Sequence, residues 1–378
     1  MAGLYIHIPF CIKKCDYCDF TSFPHAGVPD VYVNALVQEI VLTTKQDAFP
    51  QVFDTVFFGG GTPSLLSPEQ VVMILHSLYE SFSIIEGTEV SLECNPGTVD
   101  EEKLYQFRQA GVNRLSVGLQ SSSDTLLQHI GRIHDCKQFI STIQMARDAG
   151  FTNISADIMH GLPEQRMGDF TETLALVCEL DLPHISSYAL NLSENTALVT
   201  RIKNGELTLP EEDDTADMQD AGIAYLDRHG YERYEISNFA KPGFACRHNL
   251  HYWNNDSYIG FGLAAHSAVR LREWTRLANV EKLKNYYRSL RYGRLPVAEK
   301  IRIFPAEEMF ECVMLGLRLV SGINRNAFYS RFGISLSEAY ASALIALRQR
   351  GWLYESETHI ALTKQGLDMQ NTALQYFM

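Results

Sequence analysis

Cys11, Cys15 and Cys18 stand at C-x3-C-x2-C spacing within the first twenty residues, just after the apolar run Leu4–Ile8. Three closely spaced thiolates without a fourth can hold three corners of an iron–sulfur cube, leaving one iron with no protein ligand. A catalytic metal site keeps such an open position and a structural site closes it. Zinc would need a fourth ligand from His7, Asp16 or Asp19, and a disulfide would strand one thiol and need an oxidising compartment. The nearby rings of Tyr5, Phe10, Tyr17 and Phe20 suit a site shielded from water and oxygen.

A second constellation lies far along the chain at His248-Asn249-Leu250-His251-Tyr252-Trp253. Imidazole is an axial ligand for haem iron, and Tyr252 and Trp253 offer flat apolar faces to a porphyrin. A packed aromatic turn with His248 hydrogen-bonded is the plainer reading of the same residues. Cys246 and His251 are alternative iron ligands.

The elements that must position these groups alternate regularly over the first half. Strands are expected at Leu4–Ile8, Thr55–Phe58, Glu89–Glu93, Arg114–Gln120, Asn153–Met159 and His184–Leu190. Helices are expected between them at Pro29–Thr44, Pro68–Phe82, Glu101–Ala110 and Lys137–Ala149. Short, β-branched apolar strands are those of a parallel sheet covered on both faces. Repeated βα units imply right-handed crossovers, in a doubly wound sheet or a barrel. Between about Leu192 and Lys300 the repeat breaks into polar, Gly-rich and aromatic stretches. From Pro305 helices are expected at Ala306–Val320, Asn324–Phe332 and Ser335–Arg350, then a hairpin of Trp352–Glu355 and His359–Leu362, a winged-helix-like order.

Phe58-Gly59-Gly60-Gly61-Thr62-Pro63 ends the second strand, where glycines let backbone N–H and C=O groups approach a ligand. A tight βα loop would look the same. Glu93, Gln120, Arg132 and Asp157 fall at or after the C-terminal ends of successive strands, the rim where barrel enzymes gather their chemistry. Carboxylates and an amide suit hydroxyls and an ammonium, and an Arg fork suits a carboxylate. Any one of them alone reads equally well as part of an ordinary ion pair.

The chain carries a net charge of −13, which argues against a general nucleic-acid or anionic-lipid surface. From Lys300 onward, eight basic side chains meet seven acidic ones, too balanced for a phosphate-tracking tail. No uncharged apolar stretch approaches the ~20 residues that span a bilayer. The opening MAGLYIHIPFC has neither the basic nor the apolar region of a signal peptide. Cys94, Cys136, Cys178, Cys246 and Cys312 are scattered singly, as buried reduced thiols would be, so a cytoplasmic location is expected.

C-x3-C-x2-C after an N-terminal strand resembles the radical S-adenosylmethionine (SAM) superfamily. The resemblance implies a [4Fe–4S] cluster on Cys11, Cys15 and Cys18, with SAM on the open iron. It selects a partial (β/α)6 radical-SAM barrel over residues 1–235. An α+β insert carrying the haem motif follows at 236–300, then a helical, winged-helix-like domain at 301–378. Tyr5–Cys11, Gly59–Ser64, Glu93–Gly97, Gly118–Ser121, Gly131–His134 and His160–Pro163 are similar to the oxygen-independent coproporphyrinogen III dehydrogenase-like branch. That likeness implies SAM contacts from Tyr5, Tyr17, Gly60, Gly61, Thr62, Glu93, Gln120, Arg132 and Asp157.

The dehydrogenases of this branch carry a further cysteine two residues after the third cluster cysteine, where this chain has Phe20. Phenylalanine performs no thiol chemistry. The departure, together with the H-N-x-x-Y-W pattern at His248–Trp253, resembles the HemW-type haem chaperones. The implied function is binding haem, with His248 as ligand, and delivering it to client haemoproteins. The alternative is radical decarboxylation of coproporphyrinogen III in porphyrin biosynthesis. An electron donor is implied if SAM is cleaved, and a homodimer is a further expectation from the family.

Overall fold

The computed structural model describes residues 1–45 and 49–378. Its first half is a run of βα units. Strands β1 (Ala2–Ile8), β2 (Val52–Gly60), β3 (Ser83–Cys94), β4 (Arg114–Gln120), β5 (Asn153–His160) and β6 (His184–Ala189) lie parallel in that order. Between them run α1 (Asp30–Thr43), α2 (Pro68–Ser81), α3 (Glu101–Ala110), the short α4 (Asp124–His129), α5 (Cys136–Asp148) and α6 (Met167–Glu179). All seven residues of β4 are buried, as a strand covered on both faces must be. The radical-SAM barrel expectation is met, with the sheet open rather than closed into a ring.

The stretch after Leu192 adds to this sheet. Helices α7 (Ala197–Lys203) and α8 (Glu212–Arg228) come first. α8 escapes a periodicity reading because only Met218, Gly222 and Leu226 are buried along its seventeen residues. β7 (Glu232–Arg233) and β8 (Asn238–Ala240) then pair antiparallel beyond β6. After α9 (Arg247–Trp253), β9 (Tyr258–Phe261) crosses to the far side and pairs parallel with β1. β10 (His266–Arg270), β11 (Trp274–Asn279) and, after α10 (Leu283–Arg291), β12 (Val297–Arg302) complete twelve strands among the described residues. Segment 236–300 therefore widens the sheet at both edges, and α9 carries the aromatic motif between them.

The C-terminal part has its own core around Val313, Leu317, Phe328, Leu347 and Ile360. It contains α11 (Pro305–Gly316), β13 (Ile323–Asn324), α12 (Arg325–Phe332), α13 (Leu336–Ala339), α14 (Ala341–Gln349), β14 (Leu353–Glu355) and β15 (His359–Leu362). The single helix expected at Ser335–Arg350 is two, because Tyr340 (φ −129°, ψ 36°) leaves helical geometry. The expected hairpin is β14–β15. Arg276 Nη2 reaches Glu311 at 2.9 Å and Arg331 Nη1 reaches the Asn255 carbonyl at 2.8 Å, fastening this part to the sheet. Among the described residues no helix is long and apolar enough to cross a membrane.

One buried carboxylate ties the widened edge together. Glu39 of α1 accepts hydrogen bonds from the Gly262 N–H (2.9 Å), Asn279 Nδ2 (2.6 Å) and the Tyr286 hydroxyl (2.6 Å). Burial outweighs these donors and lifts its pKa from 4.5 to about 7. Because the folded value is the higher one, the group's stabilising contribution is full below about pH 4.5. It is lost as pH rises through 7, a span worth about 3 kcal/mol. Glu39→Gln removes the titration. The stability gap between wild type and variant, read by denaturant unfolding, is expected to move by about 2.5 kcal/mol against wild type from pH 5 to 8. A gap that stays constant over that window would contradict this assignment.

Candidate functional site

The cysteine loop is closed at its base, where Phe10–Cys11 pair in parallel with Phe23–Pro24. Cys11 is buried, while Cys15 and Cys18 are half-buried at the surface of the loop. The alternative fourth ligands are all engaged. Asp16 pairs with Arg201 at 2.9 Å, and Asp19 accepts from Ser193 at 2.6 Å. The His7 nitrogens meet the Tyr5 hydroxyl (3.0 Å) and the Thr21 carbonyl (3.3 Å). Among the described residues no three His, Cys, Asp or Glu side chains are gathered closely enough to hold a metal ion. The three thiols therefore share a loop without meeting at a point.

What surrounds them fits a cluster. A Cβ on Gly61 would stand 2.7 Å from the Phe10 carbonyl oxygen and 3.0 Å from Cys11 Sγ, so only glycine lets this turn lie against the loop. Arg132 Nη1 lies 3.7 Å from Cys15 Sγ, a cation beside a prospective thiolate. Burial pushes the Cys18 thiol up, a cost that bound iron offsets by its own charge. Phe20 departs from expectation: it is 61 % exposed, so it faces solvent and does not shield the loop.

The rim residues fall into two groups. Cys15, Thr62 and Arg132 line a narrow cleft beside the cysteine loop, together with Asn95. Asn95 organises it by donating to Thr62 Oγ1 (3.0 Å) and accepting from Arg132 Nη2 (2.7 Å). Tyr5, Glu93 and Asp157 instead face a cavity of 190 Å3 inside the barrel. The Gly60 N–H donates to Glu93 at 3.1 Å, but burial and the neighbouring Asp157 still push Glu93 up to about 8. Burial likewise raises Asp157, against hydrogen bonds from Ser186 and Ser116.

Arg114 lines the same cavity, nearly fully buried, with an Nε that has no partner. Two carboxylates and a guanidinium lining one space are donor and acceptor chemistry suited to hydroxyls and an ammonium. These residues fit SAM. Gln120 closes β4 with φ 69°, a left-handed conformation that a non-glycine residue adopts only under local constraint. Tyr17 packs on the small cluster of Leu126, Ile130, Met159 and Leu162, next to Arg132.

The helix α9 turns its two histidines inward. His248 is fully buried, with Nδ1 2.8 Å from Thr55 Oγ1 and Nε2 2.8 Å from the Tyr252 hydroxyl. Its ring stacks on Phe57 at 5.1 Å, and burial pushes its pKa down to about 3. In this conformation neither nitrogen is free for a metal, so the packed arrangement is the one present. His251 is held between Asp54 (2.8 Å) and Asp256 (3.1 Å). Cys246 is fully buried, its Sγ 3.5 Å from Glu89. Glu89 also accepts the backbone N–H groups of Arg247 (3.1 Å) and His248 (3.2 Å), anchoring the start of the helix.

Tyr252, whose hydroxyl meets His248, and Trp253 also line a cavity of 480 Å3 between the β6–β8 edge and the C-terminal part. Tyr188, Asn249 and Tyr252 line both this cavity and the smaller one. Asn95, Arg114, Glu89 and this larger cavity lay beyond the sequence reading. Charged residues opening the expected strands Arg114–Gln120 and Glu89–Glu93 were the signals for Arg114 and Glu89.

The Radical SAM superfamily model matches residues 5–177, and the HemN C-terminal domain model matches residues 304–369. The haem chaperone HemW of Bacillus subtilis is 36 % identical over 100 % of this chain and 99 % of its own length. HemW of Escherichia coli is 34 % identical over 100 % and 98 %. Among solved structures, coproporphyrinogen III oxidase (HemN) from Escherichia coli superposes with a TM-score of 0.85, at 24 % identity over 100 % of this chain and 89 % of that one, which establishes the shared fold. Similarity to HemW proteins along the full length, on a radical SAM scaffold, places the chain: it belongs to the HemW family of the radical SAM superfamily.

Proposed function

We propose that this protein is a haem chaperone: it binds haem and passes it to client haemoproteins, using a radical-SAM barrel that holds a [4Fe–4S] cluster and SAM. The observation that carries the reading is the 480 Å3 cavity onto which the motif helix presents Tyr252 and Trp253, within the size range of small-molecule sites. Full-length relatives named haem chaperone support it. So does Phe20, which stands in place of the cysteine expected of the dehydrogenases.

Cys11, Cys15 and Cys18 would hold the cluster. Tyr5, Tyr17, Gly60, Gly61, Thr62, Glu93, Gln120, Arg132 and Asp157 would surround SAM. The cluster, when bound, supplies an open iron and an electron. The chain's own part is to hold ligands against carboxylates, an amide and a guanidinium in a water-poor space. An external electron donor is required only if SAM is cleaved. A homodimer is the oligomer we expect.

His248 remains the proposed haem ligand, and the geometry says what must move. Its Nε2 faces a neutral hydroxyl, that of Tyr252, which itself lines the cavity. Displacing that single neutral bond costs about 1 kcal/mol. Cys246 would have to leave a carboxylate, and His251 two, which costs more.

The test has two arms. Reconstituted protein given SAM, dithionite and coproporphyrinogen III under anaerobic conditions is expected to yield no protoporphyrinogen, while haem-loaded protein restores the spectrum of an apo-haemoprotein. Enzymatic turnover of coproporphyrinogen would defeat the chaperone reading. His248→Gln is expected to shift the haem absorbance and weaken binding; an unchanged spectrum and affinity would remove the ligand assignment.

A further inference from the structure

Three buried polar atoms without partners belong to residues that line one cavity. Asn238 Oδ1, Arg318 Nε and Gln370 Oε1 have no hydrogen-bond partner, and all three residues line the 480 Å3 cavity. Buried polar groups are normally paired, so each unpaired one calls for an explanation. Three in the wall of one cavity make that wall rich in uncommitted polar groups, chemistry suited to a ligand.

Their chemistry specifies it. Asn238 is 96 % buried, and its Nδ2 donates to Glu235, which leaves its Oδ1 an uncommitted acceptor in the cavity wall. Glu235 also accepts the Ser237 N–H at 3.1 Å, so its charge is already held by protein donors. The guanidinium of Arg318 lies 5.5 Å over the Trp253 ring, and among the described residues its side chain forms no ion pair. Stacking uses the face of the guanidinium and leaves its edge, a fork of N–H donors, free for a carboxylate. Trp253 and Tyr252 beside it present flat apolar surface.

We propose that Arg318, carried by the C-terminal part, is the anchor for a carboxylate of a flat tetrapyrrole whose ring lies along Tyr252 and Trp253. This rests on the haem reading above and adds which group grips the propionate side. Loading then requires both parts of the chain, because the aromatic wall comes from α9 and the cation follows α11.

The test titrates the full-length protein with haemin and with its dimethyl ester, following Trp fluorescence and haem absorbance. Arg318 is half-buried and forms no ion pair among the described residues, so Arg318→Met is expected to fold. The variant is expected to bind haemin about 10- to 100-fold more weakly than wild type, the range of a charge-assisted hydrogen bond. Wild type should bind the diester as weakly as the variant binds haemin, and the variant should lose nothing further with the diester. Equal haemin affinity in the two proteins, or an undiminished diester affinity in wild type, overturns the subsite and leaves the chaperone reading intact. A wild-type chain that ignores haemin overturns the chaperone reading. Metal-free protoporphyrin and its diester then decide the subsite by the same comparison, and no binding of either overturns it too.

Discussion

Serine in place of Cys11, Cys15 or Cys18 is expected to abolish the iron–sulfur cluster. Anaerobic reconstitution of wild type should incorporate about four iron and four sulfide per chain, with the broad visible absorbance of a [4Fe–4S] centre. Each single serine variant should fall to background, because two thiolates cannot hold three corners of the cube. The remaining cysteines serve as the contrast. Burial pushes the Cys94 thiol up to about 11 and Cys246 up to about 12, so both stay protonated and apart from iron. Cys94→Ser and Cys246→Ser should keep full iron content. Iron retained in the Cys15 variant, or lost in the Cys246 variant, would refute the assignment of the ligands.

Removing Glu89 is expected to cost the protein much of its stability. This carboxylate is 6 % exposed and accepts two backbone N–H groups at the start of α9, and the Cys246 thiol lies beside it. Glu89→Ala leaves those donors buried and unpaired. With charge-assisted bonds at ~1.5–3 kcal/mol each, the expected loss is about 4 kcal/mol. Glu89→Gln, which still accepts, should lose about half as much. Denaturant unfolding at pH 7 reads both. A loss below about 1 kcal/mol for the alanine variant would show that the helix start is satisfied in some other way. Because α9 carries His248, Tyr252 and Trp253, haem affinity should fall along with stability.

Local signals accounted for the cysteine loop and the strand series, because both are written in short-range patterns. Spacing along one loop identifies Cys11, Cys15 and Cys18, and short apolar runs such as Val56–Phe58 identify strands. The motif at His248–Trp253 was visible as a motif, but the direction each side chain takes was not. His248 and His251 face inward because Thr55, Asp54 and Asp256 wait there, and two of those residues come from a strand almost two hundred positions earlier. Arg114 and Asn95 were missed for the same reason: each is given its role by partners from other βα units. The 480 Å3 cavity is a property of how the C-terminal part seats on the sheet, and no window of sequence contains it. The glycines of Gly59–Gly61 carried two readings, and protein packing accounts for Gly61, whose Cβ would collide with the cysteine loop.

The pairing of β1 bears on how the molecule is made. β1 is made well before one of its two neighbours: it lies in the interior of the sheet, with β2 on one side and β9, about 250 positions later, on the other, Gly3 opposite Tyr258. Until residues 258–261 emerge, the strand that leads into the cysteine loop is a bare apolar edge, the kind of surface that recruits wrong partners. The same delay applies to α9, which reaches its seat on Thr55 and Glu89 only late in synthesis. The cluster loop and the haem motif thus become ordered together, once residues 258–261 have been made, so that a nascent chain extending only past the cysteine loop exposes thiols but has no formed place to carry a cofactor.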